Sequence, residues 1–259
     1  MDPESDMVSP SNHDMTLDIT FFVPCYNEEK LIVATLETIL MAVESFNVTF
    51  EIIVVDDGST DNSRKVIDHF ITANRGSAGG DIILVENKSN CGVGPNYFKA
   101  AGLAKGAYFM GVCGDHSEPL PSLMAILNLL GKADIVIAYF NTRLFSKKFC
   151  RDNRRFSRRL ISILFNRLFV RLACGHRLHY YNGPVLHKTA NVLAYRVPAW
   201  GLAYQCEIVC KMLNDRKTFL EVMVKNRARM EGKTTAFRWK KILHAIHIPC
   251  RTDNGISVL

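Results

Sequence analysis

Five short apolar runs recur through the first 140 residues, separated from one another by helix-like patterns, and this alternation limits the chain to few architectures. The runs are Ile19–Val23 (ITFFV), Phe50–Val55 (FEIIVV), Asp81–Val85 (DIILV), Ala107–Val112 (AYFMGV) and Asp134–Ala138 (DIVIA). Runs of this kind suit strands buried on both faces, as in parallel sheets. Helices are predicted over Glu28 to about Phe46, Ser59–Phe70, Asn96–Lys105 and Leu120–Leu130. The expected fold class is α/β, with a Rossmann-like, doubly wound, mostly parallel sheet and flanking helices. Ligands of such sheets bind outside the carboxyl ends of the strands, so the polar residues at those ends are the ones to read.

The 259 residues are 48% hydrophobic and 22% charged, which suits a packed core and excludes a disordered chain. Met1 to Leu17 is rich in Ser, Asp, Asn and Pro with no apolar period, and is expected to be a disordered tail; 18–259 is expected to be a single domain. The longest stretch without Asp, Glu, Lys or Arg, Pro119–Gly131, is too short to cross a bilayer. The acidic, polar N-terminus does not resemble a secretory signal, and a cytoplasmic location is expected. Eight scattered cysteines without a Cys-x-x-Cys pair predict neither a zinc site nor a disulfide framework. The net charge of +7 is concentrated: Arg143 to Arg159 holds eight Lys or Arg against one acid, Asp152. An anionic partner is expected there.

Four polar segments follow strand candidates in turn: VPCYNEE (Val23–Glu29), VVDDGSTDNS (Val54–Ser63), NCGVGPN (Asn90–Asn96) and VCGDHSEP (Val112–Pro119). In the first, Pro24 fixes the backbone, Tyr26 offers a face on which a nucleobase can stack, and Glu28 offers acceptors. Asn27 or Glu28 could equally cap the following helix. In the second, Asp57 can accept hydrogen bonds from a base or ribose, while the alternative is that Asp57 and Asp61 cap a helix. In the third, Gly92 and Gly94 would let the backbone approach a ligand ahead of a helix at Asn96. In the fourth, Asp115 offers a hard oxygen ligand for a divalent cation, with His116, Ser117 and Glu118 as candidate helpers. An imidazole from His116 would favour manganese over magnesium.

In this order and spacing the four segments resemble the inverting family 2 glycosyltransferases with the GT-A fold, and most of all the polyprenyl-phosphate glycosyltransferases such as dolichol-phosphate mannose synthases. The likeness covers about Ile19 to Ile246. It implies that Pro24, Tyr26, Glu28, Asp57, Gly92, Gly94 and Gly114 line a nucleotide site for a UDP- or GDP-linked sugar. It also implies a Mn2+ or Mg2+ cofactor held by Asp115, with Ser117 as a further ligand. The family usually has Asp-x-Asp where this chain has Cys113, Gly114 and Asp115, so the first acid is missing.

The second half carries the acceptor question, and 141–259 is expected to form the acceptor-binding part beside a donor part over 18–140. Arg154–Leu172 alternates a wide apolar arc with arginines. Such a helix can pack in a core, or lie at a bilayer interface with its arginines on lipid phosphates. The resemblance places Arg158 and Arg159 near the phosphate of a polyprenyl-phosphate acceptor, whose geometry bidentate arginine suits. It places Arg229 and Lys233, in Arg229–Thr234, over the donor diphosphate, and Asn182 and Gly183, in Tyr180–Pro184, beside the acceptor. The resemblance thus implies a metal-dependent transfer of a sugar to a lipid phosphate, with peripheral attachment at the cytoplasmic face of a membrane and no nucleic-acid partner. A same-fold enzyme acting on a soluble acceptor and a catalytically inactive nucleotide-sugar-binding protein remain as alternatives.

Overall fold

The structure, a computed structural model, describes residues 15–75, 80–140, 175–181, 183–197 and 204–225. In chain order these form β1 (Leu17–Cys25), α1 (Ile32–Glu44), β2 (Phe50–Asp56), α2 (Ser63–Ala73), β3 (Asp81–Glu86), α3 (Val93–Leu103), β4 (Gly106–Gly111), α4 (Leu120–Leu127) and β5 (Ile135–Phe140). β6 (Val185–Lys188), α5 (Thr189–Ala194), α6 (Tyr204–Asn214) and β7 (Phe219–Val224) follow. The strands form one sheet in the order β3-β2-β1-β4-β6-β5-β7. All neighbours are parallel except around β6, which runs antiparallel to both β4 and β5. The mostly parallel α/β sheet read from the sequence is the sheet that forms.

Alternate residues of the strands feed two cores, one on each face. Phe21, Val23, Ile52 and Val54 pack with Ile32, Leu36 and Ile39 of α1, Ile67 of α2 and Leu123 and Ile126 of α4. Phe22, Ile53, Val55 and Phe109 pack on the other face with Tyr97 and Ala101 of α3, Val192 of α5 and Ile208 and Val209 of α6. The period-2 alternation of strand side chains is what divides a continuous apolar run between two helical layers.

Chain order reverses at β1, whose neighbours are β2 on one side and β4 on the other. Register brings Cys25 opposite Asp56 and Phe22 opposite Gly111, so the carboxyl ends of these three strands open together. At the opposite end, Thr20 ties them: its hydroxyl donates to Glu51 Oε1 at 2.7 Å and accepts the Gly106 N–H at 2.9 Å. Among the described residues, no helix is long and apolar enough to cross a membrane.

Cys210 of α6 is disulfide-bonded, whereas Cys25, Cys91 and Cys113 are free thiols. Spacing along the chain did not signal this, because pairing depends on approach in space. On β6, His187 is fully buried with neither ring nitrogen hydrogen-bonded among the described residues, and burial pushes its imidazole down to about 3. The unfolded chain binds that proton near pH 6.5, so below this value the unfolded state holds more protons and stability falls with pH. Relative to a His187→Leu variant, the native chain should lose about 2 kcal/mol between about pH 7.5 and about pH 5, read as melting temperatures at the two values. Equal losses in both chains would mean that His187 is protonated in the fold.

Candidate active site

The loops after β1 and β2 are laced together by their own polar side chains. Asn27 donates its N–H to Ser59 Oγ at 3.0 Å, and its Oδ1 accepts the Thr60 N–H at 2.8 Å. The Glu28 N–H donates to Ser63 Oγ at 2.9 Å and the Glu29 N–H to Asp61 Oδ2 at 3.2 Å, while Glu29 Oε2 accepts the Asn62 N–H at 2.9 Å. This lacing holds 26–31 out of helical conformation, with Asn27 at φ 57, and α1 therefore starts at Ile32 rather than Glu28. No side chain caps it; the Glu28 carbonyl takes the Leu31 and Ile32 N–H groups, both at 2.9 Å. Pro24 lies half-buried one residue before the end of β1, and Tyr26 projects just beyond the strand with 43% of its surface exposed.

Asp57 is buried and caps nothing in α2; Asp61 instead accepts the Ser63 N–H at 2.9 Å. The Asp57 carboxylate reaches the next loop, where Oδ1 accepts from Asn87 Nδ2 at 2.9 Å and the Cys91 N–H at 2.8 Å, and Oδ2 from the Gly92 N–H at 2.9 Å. Those bonds, with Gly92 at φ 87, turn the chain directly into α3 at Val93. Gly94 consequently lies buried in the first turn of that helix, not in the loop expected from the sequence. A carboxylate has about four lone-pair sites, so Oδ2 keeps room for one more donor.

β4 delivers the fourth segment beside β1. Gly114 is buried against Pro24, whose carbonyl oxygen would lie 2.5 Å from a Cβ at position 114, so glycine is what allows the two loops to touch. The Thr35 hydroxyl of α1 bonds the Gly114 carbonyl at 3.2 Å and accepts the His116 N–H at 3.1 Å. With His116 at φ 54, its Nε2 meets Thr38 Oγ1 at 3.0 Å, so the imidazole faces α1. The manganese preference inferred from His116 loses its ground.

One oxygen each from Asp115 and Glu118 and the Cys113 sulfur lie within 4.8 Å of one another, the group among the described residues that could hold a metal ion. Glu118 is the member that the sequence left as a mere helper. It is 91% buried (relative exposure 9%), its Oε2 accepts the Cys113 N–H at 3.1 Å, and Ser117 also hydrogen-bonds to it. Burial, and then the Asp115 charge, push the Glu118 carboxyl up to about 7. The Glu118 charge in turn pushes the Cys113 thiol well up. A cation would relieve the crowding of two carboxylates and a thiol, so the donor set fits one.

Arg158, Arg159, Asn182, Arg229 and Lys233 lie outside the described residues. Gly183 is buried: a Cβ there would fall 2.0 Å from the Ala138 carbonyl oxygen, so this glycine serves the close approach of its turn to β5. Glu207, at the start of α6, pairs with Lys211 at 3.1 Å.

The model of the family described as Glycosyl transferase family 2 matches residues 20–186, the stretch that contains all four loops. The chain belongs to glycosyl transferase family 2. As a glycosyltransferase it carries its four polar loop segments after β1, β2, β3 and β4, around the point where the sheet order reverses. None of the curated proteins matches the chain. Among solved structures, glucosyl-3-phosphoglycerate synthase from Mycobacterium tuberculosis, in complex with Mn2+, UDP and glucosyl-3-phosphoglycerate, superposes with a TM-score of 0.57 at 15% identity over 85% of this chain and 75% of that one. S. aureus TarS 1–349 in complex with UDP-GlcNAc superposes with a TM-score of 0.52 at 18% identity, over 84% of this chain and 61% of that one. At such identities the likeness establishes the GT-A fold.

Proposed function

We propose that this glycosyltransferase moves a sugar from a nucleotide diphosphate sugar, bound across the carboxyl ends of β1, β2 and β4, to an acceptor that carries a phosphate. The observation that carries the reading is the convergence of Asp115 and Glu118 at the end of β4, beside the exposed Tyr26 at the end of β1. Tyr26 stacks on the base, and the remaining lone pair of Asp57 accepts a base N–H. UDP is the favoured nucleotide, since both solved relatives above were crystallised with UDP or a UDP-sugar.

Asp115 and Glu118 would hold a divalent cation, which when bound neutralises the charge of the departing diphosphate. Arg229 and Lys233 add positive charge on the same leaving group. In-line attack at the anomeric carbon from the opposite side inverts its configuration. An acceptor phosphate is already anionic and needs no general base, which agrees with the pairing of Glu207 to Lys211.

In this reading 18–140 binds the donor and 141–259 the acceptor, with Arg158 and Arg159 on the phosphate of a polyprenyl phosphate at a membrane surface. The eight basic residues between Arg143 and Arg159 support a phosphate-bearing partner. A second reading, a soluble phosphorylated acceptor, is favoured by the crystallisation of the mycobacterial enzyme with phosphoglyceric acid. The test is release of UDP from UDP-glucose and UDP-GlcNAc with Mn2+, in the presence of polyprenyl-phosphate vesicles or of phosphoglyceric acid. Release stimulated by the vesicles, and lost in the Arg158→Ala/Arg159→Ala double variant, supports the lipid acceptor. Stimulation by phosphoglyceric acid without vesicles supports the soluble one, and release with neither acceptor overturns the phosphate reading.

A further inference from the structure

At position 113 the chain presents a sulfur where a carboxylate is expected, and the fold keeps that sulfur in the cation cluster. Cys113 Sγ shares the 4.8 Å group with the oxygens of Asp115 and Glu118, and the residue itself is exposed at the end of β4. Its backbone is pinned on both sides. The Cys113 N–H donates to Glu118 at 3.1 Å, and the next residue, Gly114, is wedged against the Pro24 carbonyl and bonded to Thr35. The backbone that carries the thiol is therefore tied to the end of β1, and rotation about χ1 is what is left to move the sulfur.

Magnesium demands oxygen ligands in near-ideal octahedral geometry, whereas softer divalent cations accept thiolate. We propose that Cys113 is itself a cation ligand and biases this site toward thiophilic divalent cations and away from magnesium. The inference rests on the proposed function in placing the cation at this cluster. On binding, the S–H bond gives its proton to water as the sulfur–metal bond forms, so the ligand is the thiolate.

The test uses the full chain with its Cys113→Ser and Cys113→Asp variants, titrated with Cd2+, Mn2+ and Mg2+ in the presence of UDP. Three readouts are followed: the ultraviolet cadmium–thiolate charge-transfer band, alkylation of Cys113 by iodoacetamide resolved by peptide mass spectrometry, and the melting temperature. Cd2+ should give a band that Cys113→Ser lacks, the comparison removing any contribution of the exposed Cys91. Cd2+ should also slow Cys113 alkylation, with Mg2+ leaving it unchanged. Cys113→Asp should bind Mg2+ about tenfold more tightly than the native chain, the scale on which altered metal surroundings change affinity.

Undiminished alkylation of Cys113 at Cd2+ concentrations that raise the melting temperature with UDP would overturn the proposal while leaving the cation site standing. So would an unchanged preference between Mg2+ and Cd2+ in Cys113→Asp. If no cation raises the melting temperature with UDP in any of the three chains, the inference and the cation site fall together.

Discussion

Asp115→Ala is expected to lower sugar transfer by at least about 1,000-fold, because a cation on a departing diphosphate supplies several kcal/mol of charge stabilisation. Asp115 is half-buried in a loop pinned by other residues: Thr35 holds Gly114 and His116, and Gly114 rests on Pro24. The fold should therefore survive the substitution, and the melting temperature without ligand should stay close to that of the native chain. What should disappear is the dependence of UDP binding on the cation. Transfer at near-native rates would remove Asp115 from the cation site and leave Glu118 without its partner role.

Asp57 produces the second large effect, by a different route. Its carboxylate is the acceptor for Asn87, Cys91 and Gly92, three donors on a single buried group. Asp57→Asn keeps the shape but turns one oxygen into a donor, which then faces another donor at close range. Leaving a buried donor unsatisfied beside a lost charged acceptor costs about 2–3 kcal/mol. The loop from Cys91 to Gly92 should loosen, and with it the start of α3. A melting temperature lower by roughly 4–12 °C and a donor KM raised by about tenfold or more are expected for this chain length. An unchanged KM alongside the loss of stability would confine Asp57 to holding the loop, with no part in recognising the nucleotide.

The contrast between these two aspartates shows what the sequence made legible. The parallel strands were plain, because a strand covered on both faces must be apolar throughout: Phe50–Asp56 is buried along its whole length and its bounds fall within a residue of the apolar run. β6 and β7 were not plain. β6 spans four residues including a histidine, and its antiparallel place between β4 and β5 follows from its neighbours rather than from its own composition. β7 lies at the sheet edge with Phe219 and Leu220 exposed, so it lacks the pattern of a buried strand. Helix starts were displaced for a shared reason. Side chains from one loop hold the backbone of another, as Asp61 and Ser63 hold Glu28 and Glu29 and as Asp57 holds Cys91 and Gly92, and no local pattern encodes such a reach.

The site was legible to the same extent. Asp115, Asp57 and Tyr26 stand at strand ends, where an α/β sheet concentrates its polar chemistry. The direction of each side chain was not legible. His116 and Glu118 are two residues apart in one loop, yet the positive φ at His116 and its bonds to Thr35 and Thr38 turn the imidazole to α1, while Glu118 joins Asp115. Only the contact with α1 turns one side chain away from the cluster that the other joins.

In the proposed function, the carboxyl ends of β1, β2 and β4 bind a nucleotide diphosphate through a divalent cation. The most direct measurement is the melting temperature of the full chain with UDP, GDP, CDP and dTDP, each with and without Mn2+. Ligand at 100-fold above Kd stabilises the native state by about 2.7 kcal/mol, a rise of roughly 5–10 °C for a chain of this size. That rise is expected with UDP and Mn2+ together, and little with either alone. No shift with any nucleotide in the presence of Mn2+ would rule out a cation-dependent nucleotide site at these strand ends.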